Sequence, residues 1–248
     1  MKIGAQLFTV REFCKATDDI AKTLAKIADI GYKYVQVSGT CEYDAEWLKE
    51  QLIKNGLKCA ITHIAKDKLI NATDTVIAEH KVFDCKYIGL GYHKFTGEKE
   101  DYDAFCKMYG PCAKRIADGG RYFMYHNHAS EFVKIGNKTV LEHLSEDFLP
   151  RHMGFTLDTY WVQVGGANPA DYLEKLSGRV PCIHLKDYAY GQKMAVVGEG
   201  NINFDRVFEK ARDARTEYML VEQDDCGGED PFRCLERSYK FLKSRGFE

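Results

Sequence analysis

The stretch PCIHLKD, residues 181–187, decides the fold. Ile183 and Leu185 alternate with His184 and Lys186, the period-two pattern of a β-strand with one apolar and one polar face. Three other stretches read the same way. In YFMYHNH (122–128), Phe123 and Tyr125 share a face opposite His126 and His128. In GFTLDTYW (154–161), Phe155 and Leu157 share a face opposite Asp158, and in YMLVEQD (218–224) Glu222 ends an apolar run. Each strand carries an ionisable residue at its C-terminal end.

Working outward, further apolar, β-prone runs fall at Ile3–Phe8, Tyr34–Val37, Cys59–His63 and Tyr87–Leu90. With Tyr122–His126, Gly154–Asp158, Val180–His184 and Tyr218–Glu222 they make eight expected strands. Helical patterns lie between them. Thr17–Ile30 places Ile20, Leu24 and Ile27 on one face, with Thr17 expected as N-cap. A second helix starts near Asp44 and stops at Asn55-Gly56. A third, Pro231–Lys243, has proline in its first turn and Phe232, Leu235, Tyr239 and Leu242 on one stripe. Eight strand–helix units in 248 residues predict an α/β fold, a (β/α)8 TIM barrel. A doubly wound sheet would show a Gly-rich turn after an early strand, but the first strand here runs into Thr9-Val10-Arg11. No Pro/Gly/Ser-rich linker divides the chain, so residues 1–248 are expected to form one domain.

Composition narrows the class. Lys and Arg number 35 against 37 Asp and Glu, so the net charge is −2, which disfavours a nucleic-acid partner. No apolar run approaches the roughly 20 residues of a membrane span. The start, MKIGAQLFTVR, lacks a cleavable signal pattern, and the nine cysteines form no CxxC pair. A cytoplasmic protein with reduced, mostly buried thiols is expected.

In a barrel whose apolar strand faces pack on the helices, His126, Asp158, His184 and Glu222 point into one mouth. A single Asp or Glu at a strand end is most often a helix N-cap or surface charge, and a single His a packing residue. Four at the ends of four successive strands argue for more. Two imidazoles and two carboxylates suit a divalent ion such as Mn, Co, Mg, Zn or Fe, with Mn favoured. Such an ion would also relieve the repulsion between the carboxylates.

Lys186 shares the inward side of His184 and is expected either to hold a substrate oxygen or to pair with a carboxylate. Asp187 reads as a cap or as a partner orienting a ligand histidine. Trp161 can wall a sugar ring or simply pack, and His63 and His128 can line the mouth. Gln6, Gln36 and His93 are weaker candidates. Gly198-Glu199-Gly200-Asn201 reads as a loop over the mouth.

The motifs IGAQLFTVR, YHNHASEF, LDTYWVQVGG, IHLKD, VGEGNINF and LVEQD, in this order, resemble the xylose isomerase-like barrel superfamily of sugar phosphate isomerases and epimerases. The resemblance covers essentially the whole chain and points to a branch with His-Asn-His on strand five. It implies a metal-dependent isomerase or epimerase acting on a sugar or keto-sugar through an enediolate, with Asp158, His184 and Glu222 as metal ligands. Many relatives have a glutamate where His126 stands. The expectation is therefore His126 as the fourth ligand and Glu131 as a catalytic or substrate-binding carboxylate, or the reverse. Glu222 and Lys186 complete the catalytic set. Branches with histidines here include inosose-type dehydratases, so β-elimination from a keto-sugar is the alternative. The superfamily's abasic-site endonucleases carry a histidine where Trp161 stands. The expected partner is a small sugar, with homo-oligomerisation open. A non-catalytic subunit of a larger complex is the contrasting reading.

Overall fold

The computed structural model describes residues 1–248. Eight parallel strands close into a barrel: β1 (Lys2–Gln6), β2 (Tyr34–Val37), β3 (Lys58–His63), β4 (Tyr87–Leu90), β5 (Tyr122–His126), β6 (Met153–Asp158), β7 (Cys182–Leu185) and β8 (Tyr218–Val221). They neighbour one another in chain order, and β1 closes on β8 through Lys2 opposite Tyr218. This is the (β/α)8 TIM barrel that the strand count predicts. The larger helices outside it include α1 (Thr17–Ile30), α2 (Ala45–Lys54), α3 (Lys66–Asn71), α4 (Thr73–Val82), α5 (Lys99–Asp118), α6 (Val140–Asp147) and α7 (Thr159–Val164). Then come α8 (Pro169–Lys175), α9 (Phe204–Asp213) and α10 (Pro231–Ser244).

Several boundaries differ from the sequence reading, each for a local reason. The first strand ends at Gln6, not Phe8, because the Gln6 side chain accepts from the Phe8 N–H and turns the backbone into a 3-10 segment, Leu7–Phe13. The seventh begins at Cys182 rather than Val180, since Pro181 has no N–H to give to a ladder. Thr17 is the first helical residue of α1 and not its cap. Ala16 takes that position without a side-chain bond, and its carbonyl receives the Asp19 and Ile20 N–H groups. Two small hairpins, Lys134–Ile135 with Lys138–Thr139 and Asp187–Ala189 with Lys193–Ala195, interrupt the plain strand–helix rhythm.

Period two sorts the strand side chains between two shells. Phe123, Tyr125, Phe155, Leu157, Ile183 and Leu185 face outward into the large core under the helices. Inside the barrel, Ile61, Tyr87, Met124, Cys182 and Leu220 form a separate apolar plug, against which Tyr34, Tyr122 and Tyr218 pack. The Tyr87 ring lies 6.0 Å from Tyr122 and 6.2 Å from Tyr218, and its hydroxyl donates to Glu217 at 2.6 Å. This ring of tyrosines floors the barrel. Gly154 makes it possible: a Cβ there would stand 2.6 Å from the Tyr122 ring. With the lower barrel filled, the ionisable residues at the strand ends are confined to the upper mouth. All nine cysteines are free. No helix is long and apolar enough to cross a membrane.

Candidate metal centre

Four strand ends deliver the centre. His126 closes β5, Asp158 closes β6, His184 sits in β7 and Glu222 follows β8. All four are buried, and one ligand atom from each falls within 4.8 Å of the others.

Each side chain is held from behind, which fixes what it offers to the middle. The His126 Nδ1–H donates to the Gly91 carbonyl at 2.9 Å, so its Nε2 lone pair faces inward, 3.3 Å from Asp158 Oδ2. His184 uses Nε2 on the Gln36 side-chain oxygen at 2.7 Å and turns Nδ1 to the centre. Asp158 divides its oxygens. Oδ1 caps α7 by accepting from the Trp161 N–H at 2.9 Å, and Oδ2 points into the cluster. The expected cap role falls to one oxygen, while the other is turned toward the cluster. Its backbone is fixed as well, the Asp158 N–H donating to the Asn127 side chain at 3.0 Å.

The middle of the cluster is poorly satisfied. His184 Nδ1 and Glu222 Oε2 are 2.7 Å apart, yet neither makes an aligned hydrogen bond. Two imidazoles and two carboxylates converging within 4.8 Å are a donor set that fits a divalent ion, which His184 would meet through Nδ1 after releasing its second proton. Electrostatics agree. Burial works against both acids, but Lys186 and the histidines hold Asp158 and Glu222 well below the usual carboxylate range. Burial equally opposes charge on His184, and Glu222 with Asp158 overcomes it, pushing the imidazole up to about 9. Against burial, the two carboxylates draw positive charge onto His184 and Lys186, whereas burial and the neighbouring His184 lower His126.

Lys186 is the clearest case. Its ammonium stands 3.1 Å from Asp158 Oδ2, 3.0 Å from Glu222 Oε2 and 3.0 Å from Asp224 Oδ2, almost wholly out of solvent. Of the two expected roles, the structure shows carboxylate pairing. Asp224 was not singled out in the sequence, although it shares strand parity with Glu222, as Lys186 does with His184. Burial and the neighbouring Glu222 charge raise it to about 6 against the pull of Lys186.

The cluster opens onto a cavity of 490 Å³ lined by His63, His126, His128, Lys186, Glu222 and Asp224, among others, with Phe8 and Tyr92 also on its walls. His63 lies 5.2 Å from the His126 ring and 5.7 Å from that of His184, its Nδ1 3.4 Å from Ser38 Oγ and its Nε2 unpartnered. Gly91 is required beside it, because a Cβ there would meet His63 Nδ1 at 2.7 Å. His128 packs 4.6 Å from His126 and 5.1 Å from Trp161. Burial, then the adjacent His126, lowers His128 to about 3, and the same causes with His184 lower His63, so both rings are neutral. Their unpartnered atoms, His63 Nε2 and His128 Nδ1, are buried.

Asp187 takes the capping one of its two expected roles, and Glu131 lies apart from the cluster. Asp187 orients no histidine. Its carboxylate accepts from the backbone N–H groups of Tyr188, Gly198, Gly200 and Ile202 at 2.8–3.2 Å, bracing the Gly198–Asn201 loop. Glu131 is fully buried in a 3-10 turn apart from the four-residue cluster, accepting from the Tyr125 hydroxyl, the His128 N–H and Ser130 Oγ. Burial outweighs these bonds and raises its carboxyl to about 7.

That shift has a measurable sign. Between its ordinary value near 4.5 and about 7 the folded protein keeps a proton on Glu131 that the unfolded chain releases. The stability this contributes is complete below the ordinary value and is lost as pH rises through about 7, on the order of 3 kcal/mol in all. Urea unfolding at pH 5 and pH 8 should show Glu131→Gln losing less stability than wild type by about this amount. Equal losses would disprove the assignment.

A family model described as xylose isomerase-like TIM barrel matches residues 24–245. Among solved structures, a sugar phosphate isomerase/epimerase from Parabacteroides distasonis superposes with a TM-score of 0.83 at 20% identity, over 98% of this chain and 93% of that one. The probable 3-DHS dehydratase involved in petrobactin synthesis from Bacillus anthracis gives 0.77 at 16% identity, over 99% and 100%. An L-ribulose 3-epimerase gives 0.77 at 13% identity, over 98% and 94%. No curated protein sequence matches the chain.

Proposed function

The chain belongs to the xylose isomerase-like TIM barrel family, and we propose that within it this protein is a divalent-metal-dependent isomerase or epimerase of a sugar or keto-sugar. The observation that carries this reading is the convergence of His126, Asp158, His184 and Glu222 within 4.8 Å at the mouth of a 490 Å³ cavity. These four would hold the ion, manganese being favoured. When bound, it supplies Lewis acidity to a substrate carbonyl, whose neighbouring C–H is otherwise too weakly acidic to ionise at neutral pH.

The remaining work falls to the chain. Glu222 is both a ligand and a carboxylate at the cavity wall. Asp224, raised to about 6, lines the same cavity with Oδ1 unpartnered, so it can take and return a proton near neutral pH. Lys186 faces the cavity as a donor to substrate oxygens. His63 and His128 offer neutral nitrogens to hydroxyls, and Trp161 backs His128. Glu131, expected from sequence as a catalytic or substrate-binding carboxylate, serves in this reading as the brace that shapes the His126-Asn127-His128 segment.

β-Elimination by a dehydratase or lyase is the second reading. The observation favouring it is that strand five ends in His126 rather than a carboxylate, while the Lys186 ammonium lines the cavity as a hydrogen-bond donor for a departing oxygen. Metal-loaded protein incubated with a panel of sugars and keto-sugars in deuterated water separates the two. Solvent deuterium at a carbon of recovered isomer or epimer supports the first reading. A dehydrated product or released aglycone supports the second. Neither product from any member of the panel, with metal bound, refutes both for that substrate class.

A further inference from the structure

We propose that the Lys186 ammonium is the resident cation of the unloaded centre, competing with a divalent ion for Asp158 and Glu222, and that Asp224 is the acceptor onto which it withdraws. The inference rests on the metal reading above and concerns what the chain does before the metal arrives.

Geometry carries the argument. An ammonium has three N–H groups, and here three carboxylate oxygens surround it at 3.0–3.1 Å. Two of those oxygens, Asp158 Oδ2 and Glu222 Oε2, are the ones turned toward the four-residue cluster. A divalent ion and an ammonium cannot share them at such distances without strong repulsion. The third acceptor differs in kind. The Asp158 and Glu222 side chains are 0% and 5% exposed, whereas Asp224 is 24% exposed, at the outer edge of the group. Its Oδ1 also has no partner. A second acceptor atom on the same carboxylate is therefore unfilled.

The main chain of Lys186 cannot follow. Its N–H donates to Thr159 Oγ1 at 3.0 Å, and its carbonyl accepts from the same hydroxyl at 2.7 Å. Only the four-carbon stem is free to swing. The swing leads from Asp158 toward Asp224 and the cavity, so the donor meets substrate oxygens once the metal has taken its place. Metal loading and substrate recognition are coupled by one side chain.

Titration calorimetry with manganese alone tests this without assaying turnover. Lys186→Met removes the competitor at similar length, and its manganese Kd should fall by about tenfold or more. Asp224→Asn withdraws the alternative acceptor, and its Kd should rise about fivefold. In the Lys186→Met background that rise should largely vanish, because Asp224 acts through Lys186. Without manganese, Lys186→Met should melt lower than wild type, and manganese should restore it. An unchanged or higher Kd for Lys186→Met overturns the proposal, as does an equal Asp224→Asn penalty in both backgrounds. Should Lys186→Met not fold, an unchanged Kd for Asp224→Asn alone overturns it. If wild type binds no manganese, the metal reading falls with it; binding by wild type with no response in the variants removes only this inference.

Discussion

Glu222→Ala should lower kcat/KM by about 10⁴-fold or more and leave purified protein unable to retain manganese. Each 1.36 kcal/mol of lost transition-state stabilisation costs a factor of ten, and a cation acting on a developing enolate is worth several kcal/mol. Glu222 also lines the cavity, so removing it takes away a candidate ligand and a candidate base together. The fold should tolerate the change. Glu222 stands just past β8 at the rim, and Lys186 keeps its pairs with Asp158 and Asp224 when this carboxylate is gone. Glu222→Gln, which preserves shape but not charge, should lose nearly as much activity. The decisive measurements are elemental analysis and steady-state kinetics on the same preparation. Manganese retained with activity lost would make Glu222 a base only; near-wild-type turnover would remove it from the centre.

The second large effect is at Asp158, where two roles must be separated. Asp158→Asn and Asp158→Ala should both abolish metal binding and lower kcat/KM by about 10³-fold or more, because neither presents an anionic oxygen at the position of Oδ2. They should differ in stability. Asparagine keeps an oxygen able to accept from the Trp161 N–H and so retains the cap on α7, whereas alanine cannot. The alanine variant should be less stable than the asparagine variant by about 1 kcal/mol in urea. An active, manganese-binding Asp158→Asn would mean that the carboxylate is a cap and nothing more.

The four convergent residues were legible because strand alternation is strict: once Ile183 and Leu185 are assigned outward, His184 has only one place to go. The same rule reached Lys186, and it would have reached Asp224 had the period been carried two residues past Glu222. What the rule cannot reach is side-chain orientation outside strands. Glu131 lies in a 3-10 turn, where no periodicity says whether a carboxylate faces the cavity or, as here, its own loop. Asp187 opens a hairpin, and its four backbone partners come from residues up to fifteen positions downstream. Asp158 is hard to read for another reason: in sequence a cap and a ligand look like rival roles, although two carboxylate oxygens can serve one each. Strand ends moved by one or two residues where a side chain (Gln6) or a missing N–H (Pro181) intervened.

The tyrosine floor has a kinetic consequence. Tyr87 fills the lower barrel together with Ile61, Met124, Cys182 and Leu220, and Tyr34, Tyr122 and Tyr218 pack against them, below the cavity that the four-residue cluster faces. If the cluster holds an ion, as proposed, a sugar seated in the 490 Å³ cavity would sit as a stopper over it. Release of manganese should therefore slow as a bound sugar accumulates, making the chelator-driven off-rate a direct gauge of occupancy.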